Sequence, residues 1–132
     1  MTCRWILPET VLAVHDRQID DHGGMAGTRD RGLIESAVNR PQTTALYEDH
    51  FDVFDLAAAY GFALVQNHGF YDGSKPTAYT VTRLFLELNR YRLTAPAADR
   101  VIMFLKCAKG EIKESDLAEW LRKNSQEIKN KL

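Results

Sequence analysis

An all-helical fold is predicted by three features of this 132-residue chain. Apolar residues recur at three- and four-residue spacing over most of its length. No run alternates apolar and polar residues long enough to argue for a strand. Glycines and prolines fall at intervals that bound helices rather than hairpins.

The elements follow in order. Pro8 suits a first helical turn, where its missing N–H would be unpaired anyway. Val11, Leu12, His15 and Ile19 then share one helix face, and the Gly23-Gly24 pair predicts the stop. From Asp20 to Thr28 the chain is polar and glycine-rich, which predicts a loop or a small hairpin. Leu33, Ile34, Ala37 and Val38 predict a short helix ended at or near Pro41. The stretch from Phe51 to Asn67 is the most apolar in the chain and leaves little polar circumference. A helix apolar on all sides is a buried one, so this segment is placed at the centre. A further helix resumes at about Pro76, with Val81, Leu84, Phe85 and Leu88 on one face, and ends at Asn89. Tyr91 to Leu93 reads as a short extended link. Ala97 to Lys109 reads as a helix stopped by Gly110. Ser115 is the expected N-cap of a last helix carrying Leu117, Trp120 and Leu121. The polar tail from Asn124 is expected to fray.

Composition bounds the function. The length fits one domain, residues 1–132, with a core from about 5 to 121. A chain of this size removes roughly two-thirds of its unfolded surface from water, enough for a core without disulfides or metals. Hydrophobic residues are 45% and charged residues 27%, which is globular rather than disordered. Seventeen Lys and Arg balance 18 Asp and Glu, for a net charge of −1. That balance argues against a basic nucleic-acid binder and against an acidic tail. Cys3 and Cys107 have no metal-site spacing and are expected to be reduced thiols. The nearly uncharged run from Leu56 to Asn67 is shorter than the roughly 18 residues of a membrane span. The start, Met-Thr-Cys-Arg-Trp-Ile-Leu-Pro, lacks the pattern of a signal peptide. A cytoplasmic location with no membrane partner is the expectation.

Chemistry concentrates between the two central helices. His68 closes the buried helix, Asp72 follows four residues later, and Gly73, Ser74 and Lys75 open the next helix. The first N–H groups of a helix lack partners and carry part of its dipole, so they attract anions. Gly73 lets a phosphate approach the backbone, and Lys75 adds a positive charge. Asp72 offers oxygen to a magnesium ion, which favours carboxylate and phosphate ligands. The near-neutral pKa of a histidine suits His68 to take a proton from a hydroxyl. Phe70 reads as a core plug fixing the loop. Taken singly, each residue has an ordinary structural role: helix end, turn, cap or surface charge. Together they are the groups that phosphoryl or nucleotidyl transfer requires.

The segment HGFYDGSKPT resembles the Fic/Doc signature H-x-F-x-[D/E]-[A/G]-N-[G/K]-R. Trp5 to Glu9, HDRQIDDHGG, Thr28 to Gln42 and Leu84 to Ala95 are also similar to death-on-curing members. The likeness thus spans about Trp5 to Leu121. It implies a compact helical domain and transfer from ATP, with Mg2+, to a protein hydroxyl. Fic-type members move AMP. Doc-type members resemble kinases that phosphorylate elongation factor Tu, and are toxins held by a small cognate antitoxin. By resemblance, His68 activates the target hydroxyl and Phe70 anchors the loop. Asp72 holds magnesium, Gly73 and Ser74 give the anion-hole backbone, and Lys75 is the Doc-type lysine. Gly23 to Thr28 matches the region that docks the target. Two positions depart: Ser74 stands for asparagine and Pro76 for arginine. Proline has neither the guanidinium fork nor an N–H. The implied reading is a Doc-type kinase toxin. An impaired interaction module and a Fic-type AMP transferase are the alternatives.

Overall fold

The computed structural model describes residues 3–129. Six helices occur in these residues: α1 (Pro8–His22), α2 (Arg31–Tyr47), α3 (Val53–Gln66), α4 (Ser74–Leu88), α5 (Ala97–Lys109) and α6 (Glu114–Lys123). Two short strands, β1 (Tyr91–Leu93) and β2 (Ser125–Glu127), pair antiparallel.

α3 is the axis of the molecule, with α2, α4, α5 and α6 packed around it. Its residues Leu56 to Tyr60 are fully buried, which requires apolar side chains on every face. Ala57, Ala58 and Ala59 keep that helix thin, so its neighbours approach closely. Asp52 starts α3 by accepting the N–H groups of Phe54 and Asp55, while Asp55 reaches back to the Asp52 N–H. That reciprocal arrangement satisfies donors a helix start would otherwise leave open. The N-terminal segment is tied to the core where the Ile6 N–H donates to the Tyr60 hydroxyl at 3.0 Å. Burial pushes the Tyr60 phenol up to about 12.

Most predicted boundaries agree with this architecture, with exceptions in α2, at the starts of α4 and α6, and in the tail. α2 continues through Pro41 to Tyr47. The buried Pro41 ring contributes to the packed face, and the Thr43 and Thr44 hydroxyls bond the carbonyls of Asn39 and Arg40 across the next turn. Residues 23–27 form the predicted loop, without a hairpin, and their neighbour Thr28 makes an isolated antiparallel bridge to Phe70. α6 is capped at Lys113, not Ser115, because the Asp116 carboxylate accepts the Lys113 N–H at 2.8 Å. The polar tail is pinned as far as Ile128: β2 pairs with β1, and the Ile128 N–H donates to the Arg90 carbonyl at 2.8 Å. No helix among the described residues is long and apolar enough to cross a membrane.

Candidate functional site

The site lies in the seven residues between α3 and α4. α3 ends at Gln66, with Asn67 as its C-cap, so His68 sits just beyond the helix rather than within it. His68 has φ +53°, a left-handed conformation that costs a non-glycine residue energy unless its surroundings impose it. They do so from the α2 side. The Arg29 Nε donates to the His68 carbonyl at 2.8 Å. The Arg29 and Asp30 N–H groups both donate to the Gly69 carbonyl, at 2.8 and 3.1 Å. The Asn67 amide donates to the Leu33 carbonyl at 3.1 Å. Gly69 is required for this fit, because a Cβ there would overlap the Ile34 side chain. The His68 side chain is exposed, with no hydrogen-bond partner among the described residues. An imidazole on a hydrogen-bonded backbone and open to solvent is accessible to an incoming hydroxyl.

The second half of the loop is held from α1. Phe70 is buried and stacks face to face on His15, with ring centroids 3.7 Å apart and planes 5° apart. The His15 Nε2 lies 2.7 Å from the Asp72 carbonyl. One Asp72 carboxylate oxygen accepts the Met25 N–H at 2.7 Å, which joins the 23–28 segment to the site. Asp72 is exposed, so its other oxygen remains available.

α4 begins immediately afterwards. Gly73, at φ +80°, is its N-cap, and Ser74 is the first helical residue. Ser74 is therefore not the cap, and no side chain caps this helix. The N–H groups of Gly73, Ser74 and Lys75 have no protein acceptor among the described residues. Pro76 occupies the third position of the first turn, where a missing N–H leaves no intrahelical bond unmade. Lys75 is exposed and forms no ion pair among the described residues. Beside it, Pro76, Tyr79, Ala97, Val101, Phe104 and Leu105 line an almost wholly apolar cavity of about 350 Å³ between α4 and α5.

The loop thus brings His68, Asp72, Gly73, Ser74 and Lys75 onto one short stretch of surface, with Phe70 beneath. Sequence reasoning missed the supports: Arg29, Met25 and the role of His15. The only sequence signal for His15 is a histidine on the apolar face of an amphipathic helix. No group of three His, Cys, Asp or Glu side chains converges among the described residues. A magnesium ion at Asp72 would accordingly draw its remaining ligands from phosphate oxygens and water, the usual manner for that ion.

The pattern that defines the Fic/DOC family matches residues 5–86. The chain is 34% identical over 120 residues to a protein named Protein kinase doc from Escherichia phage P1, an alignment covering 91% of this chain and 94% of that one. It is 40% identical over 74 residues to Toxin Doc of Mycolicibacterium smegmatis, covering 55% of this chain and 57% of the relative. With the family pattern running from the N-terminal segment into α4, and one relative aligned over nearly all of both chains, the protein belongs to the Fic/Doc family.

Proposed function

We propose that this protein is a Doc-type toxin that transfers the γ-phosphate of ATP to a hydroxyl of a translation protein such as elongation factor Tu. The observation that carries this reading is the uncapped start of α4. Three N–H groups without a protein acceptor among the described residues lie there, one of them belonging to the exposed Lys75, a few residues from an exposed histidine. Likeness to proteins named as a kinase and a toxin points the same way.

In the proposed reaction the γ-phosphate rests against the N–H groups of Gly73, Ser74 and Lys75, which the helix dipole makes electropositive. The Lys75 ammonium offsets its charge. His68 takes the proton of the target hydroxyl as that oxygen attacks phosphorus. The bond from phosphorus to the β–γ bridging oxygen breaks, and ADP leaves. A magnesium ion, when bound, would neutralise phosphate charge, and the Asp72 carboxylate would be its protein ligand. The apolar cavity between α4 and α5 borders Lys75 and is large enough for a nucleobase. As a toxin, the protein would be restrained by a small cognate antitoxin. A neighbouring open reading frame that fails to relieve growth arrest on co-expression would count against that partner.

A second reading, an impaired interaction module, is favoured by one feature. Pro76 supplies no donor, where an arginine would have forked onto phosphate. Incubation with lysate and ATP labelled on the α or γ phosphate separates the readings. The expected result is γ label on protein, lost in His68→Ala. The α label on protein would make the chain an AMP transferase. No label from either would favour the module.

A further inference from the structure

His15 has no part in the reaction above, yet it is an ionisable side chain buried beneath the loop. It is 1% exposed, stacked flat on Phe70, with Nε2 2.7 Å from the Asp72 carbonyl. A carbonyl oxygen only accepts, so this contact requires the proton on Nε2. Gly73 packs against the same imidazole edge: a Cβ built there would lie 3.5 Å from both Cδ2 and Nε2.

We propose that His15 is a positioning residue that sets the direction of the Gly73 N–H and so forms the phosphate site. The Asp72 carbonyl and the Gly73 N–H belong to one peptide group. That peptide is trans, as are all those described, so its C=O and N–H point in opposite directions. Drawing the carbonyl inward onto the buried Nε2–H turns the Gly73 N–H outward, away from α1. There it joins the free N–H groups of Ser74 and Lys75. Glycine at φ +80° is free to rotate between alternative peptide orientations, so without an anchor this group would sample both. Pro76 raises the importance of the anchor, because the first turn of α4 has one N–H fewer to offer. The stack on Phe70 fixes the plane of the imidazole, and the hydrogen bond fixes the peptide.

This inference rests on reading Gly73 to Lys75 as a phosphate site, and its test separates the two claims. Inorganic phosphate is titrated into 15N-labelled protein, following the Gly73, Ser74 and Lys75 amides in the wild type, His15→Phe, His15→Gln and Val11→Ala. Phenylalanine keeps the stack and loses the donor. Glutamine loses the ring and keeps an N–H near the Nε2 position. Val11, buried one turn earlier on α1, controls for core damage. The expected result is phosphate affinity weakened about 10- to 100-fold in His15→Phe, the scale of a buried carbonyl losing its partner. His15→Gln should stay within about threefold of wild type, and Val11→Ala should bind as wild type. Equal binding by His15→Phe and wild type would overturn the proposal, as would equal losses in all three variants. If the wild type gives no phosphate response, the phosphate reading falls. The positioning claim is then decided by the Gly73 amide resonance, which must move in His15→Phe and return in His15→Gln. The ring nitrogens of the wild type give a check that needs no variant: 15N shifts must show the proton on Nε2. A proton on Nδ1 alone would overturn the assignment.

Discussion

The two ends of α3 are built on opposite plans. At its start, the charged side chains are bonded to the helix and to one another. Asp52 accepts two helix N–H groups, and the Arg122 Nε and Nη2 fork onto both its oxygens at 2.8 and 3.0 Å. Arg122 also bonds Asp55 and Glu119, and its guanidinium lies over Phe54. At the other end, the backbone of the loop is equally well held, through Arg29, Asn67 and His15. Its candidate functional groups are not. The His68 ring, the Lys75 ammonium and three α4 N–H groups all lack protein partners among the described residues. Polar groups left open on a hydrogen-bonded frame are available for a ligand, whereas the closed network at Asp52 ties the start of α3 to α6.

The largest expected effect falls at the open end. His68→Ala should reduce transfer about 10²- to 10⁴-fold, the range for removing a general base, while the melting temperature stays near wild type. A large loss of stability instead would mean that the exposed ring is structural. Next comes Pro76→Arg, which restores both a phosphate fork and a backbone N–H. It should raise transfer about 10- to 1000-fold, and further with Ser74→Asn. No transfer by the double variant despite tight ATP binding would point to the interaction module. Gly69→Ala should damage the frame, because its Cβ would overlap Ile34. A cost of about 1–3 kcal/mol is expected by denaturant titration, the usual scale of overpacking.

The smallest effect belongs to the closed end. Arg122→Ala should cost about 1 kcal/mol, since these charges are partly exposed and solvent-screened. It should not change phosphate binding. Burial alone would raise the Asp52 carboxyl, but the Arg122 bonds bring it below its ordinary 3.8. Its contribution to stability is therefore present above that pH and lost as pH falls through the lowered value. Asp55 works in the opposite sense, because burial and the neighbouring Asp52 raise it. Arg122→Ala should flatten the loss of stability below about pH 4. An unchanged acid limb would show that the network does not couple protonation to folding.

The sequence discloses these two ends unequally. Pro8, Gly23 and Gly110 mark helix boundaries because their backbone chemistry acts locally, and the composition of α3 declares its burial. Pro41 misleads for the same reason: its local cost is offset by packing that no local rule contains. β2 was invisible because Ser125 to Glu127 has no strand character of its own and is ordered by β1. The candidate residues of the loop are contiguous, so the proposed chemistry is legible in one short motif. Their supports come from elsewhere in the chain. His15 is 57 residues from Asp72 and Arg29 is 39 from His68. Nothing in the spacing of a single sequence reports such contacts.

The contrast between the two helix starts can be measured directly by amide hydrogen exchange with and without millimolar sulfate. The α4 donors are open and the α3 donors are capped. Sulfate should therefore slow exchange at Gly73, Ser74 and Lys75 and leave Phe54 and Asp55 unchanged, with the α4 protection lost in Lys75→Ala. Exchange at Gly73 to Lys75 that ignores sulfate, or protection that appears equally at both helix starts, would contradict the assignment of this loop as the anion site.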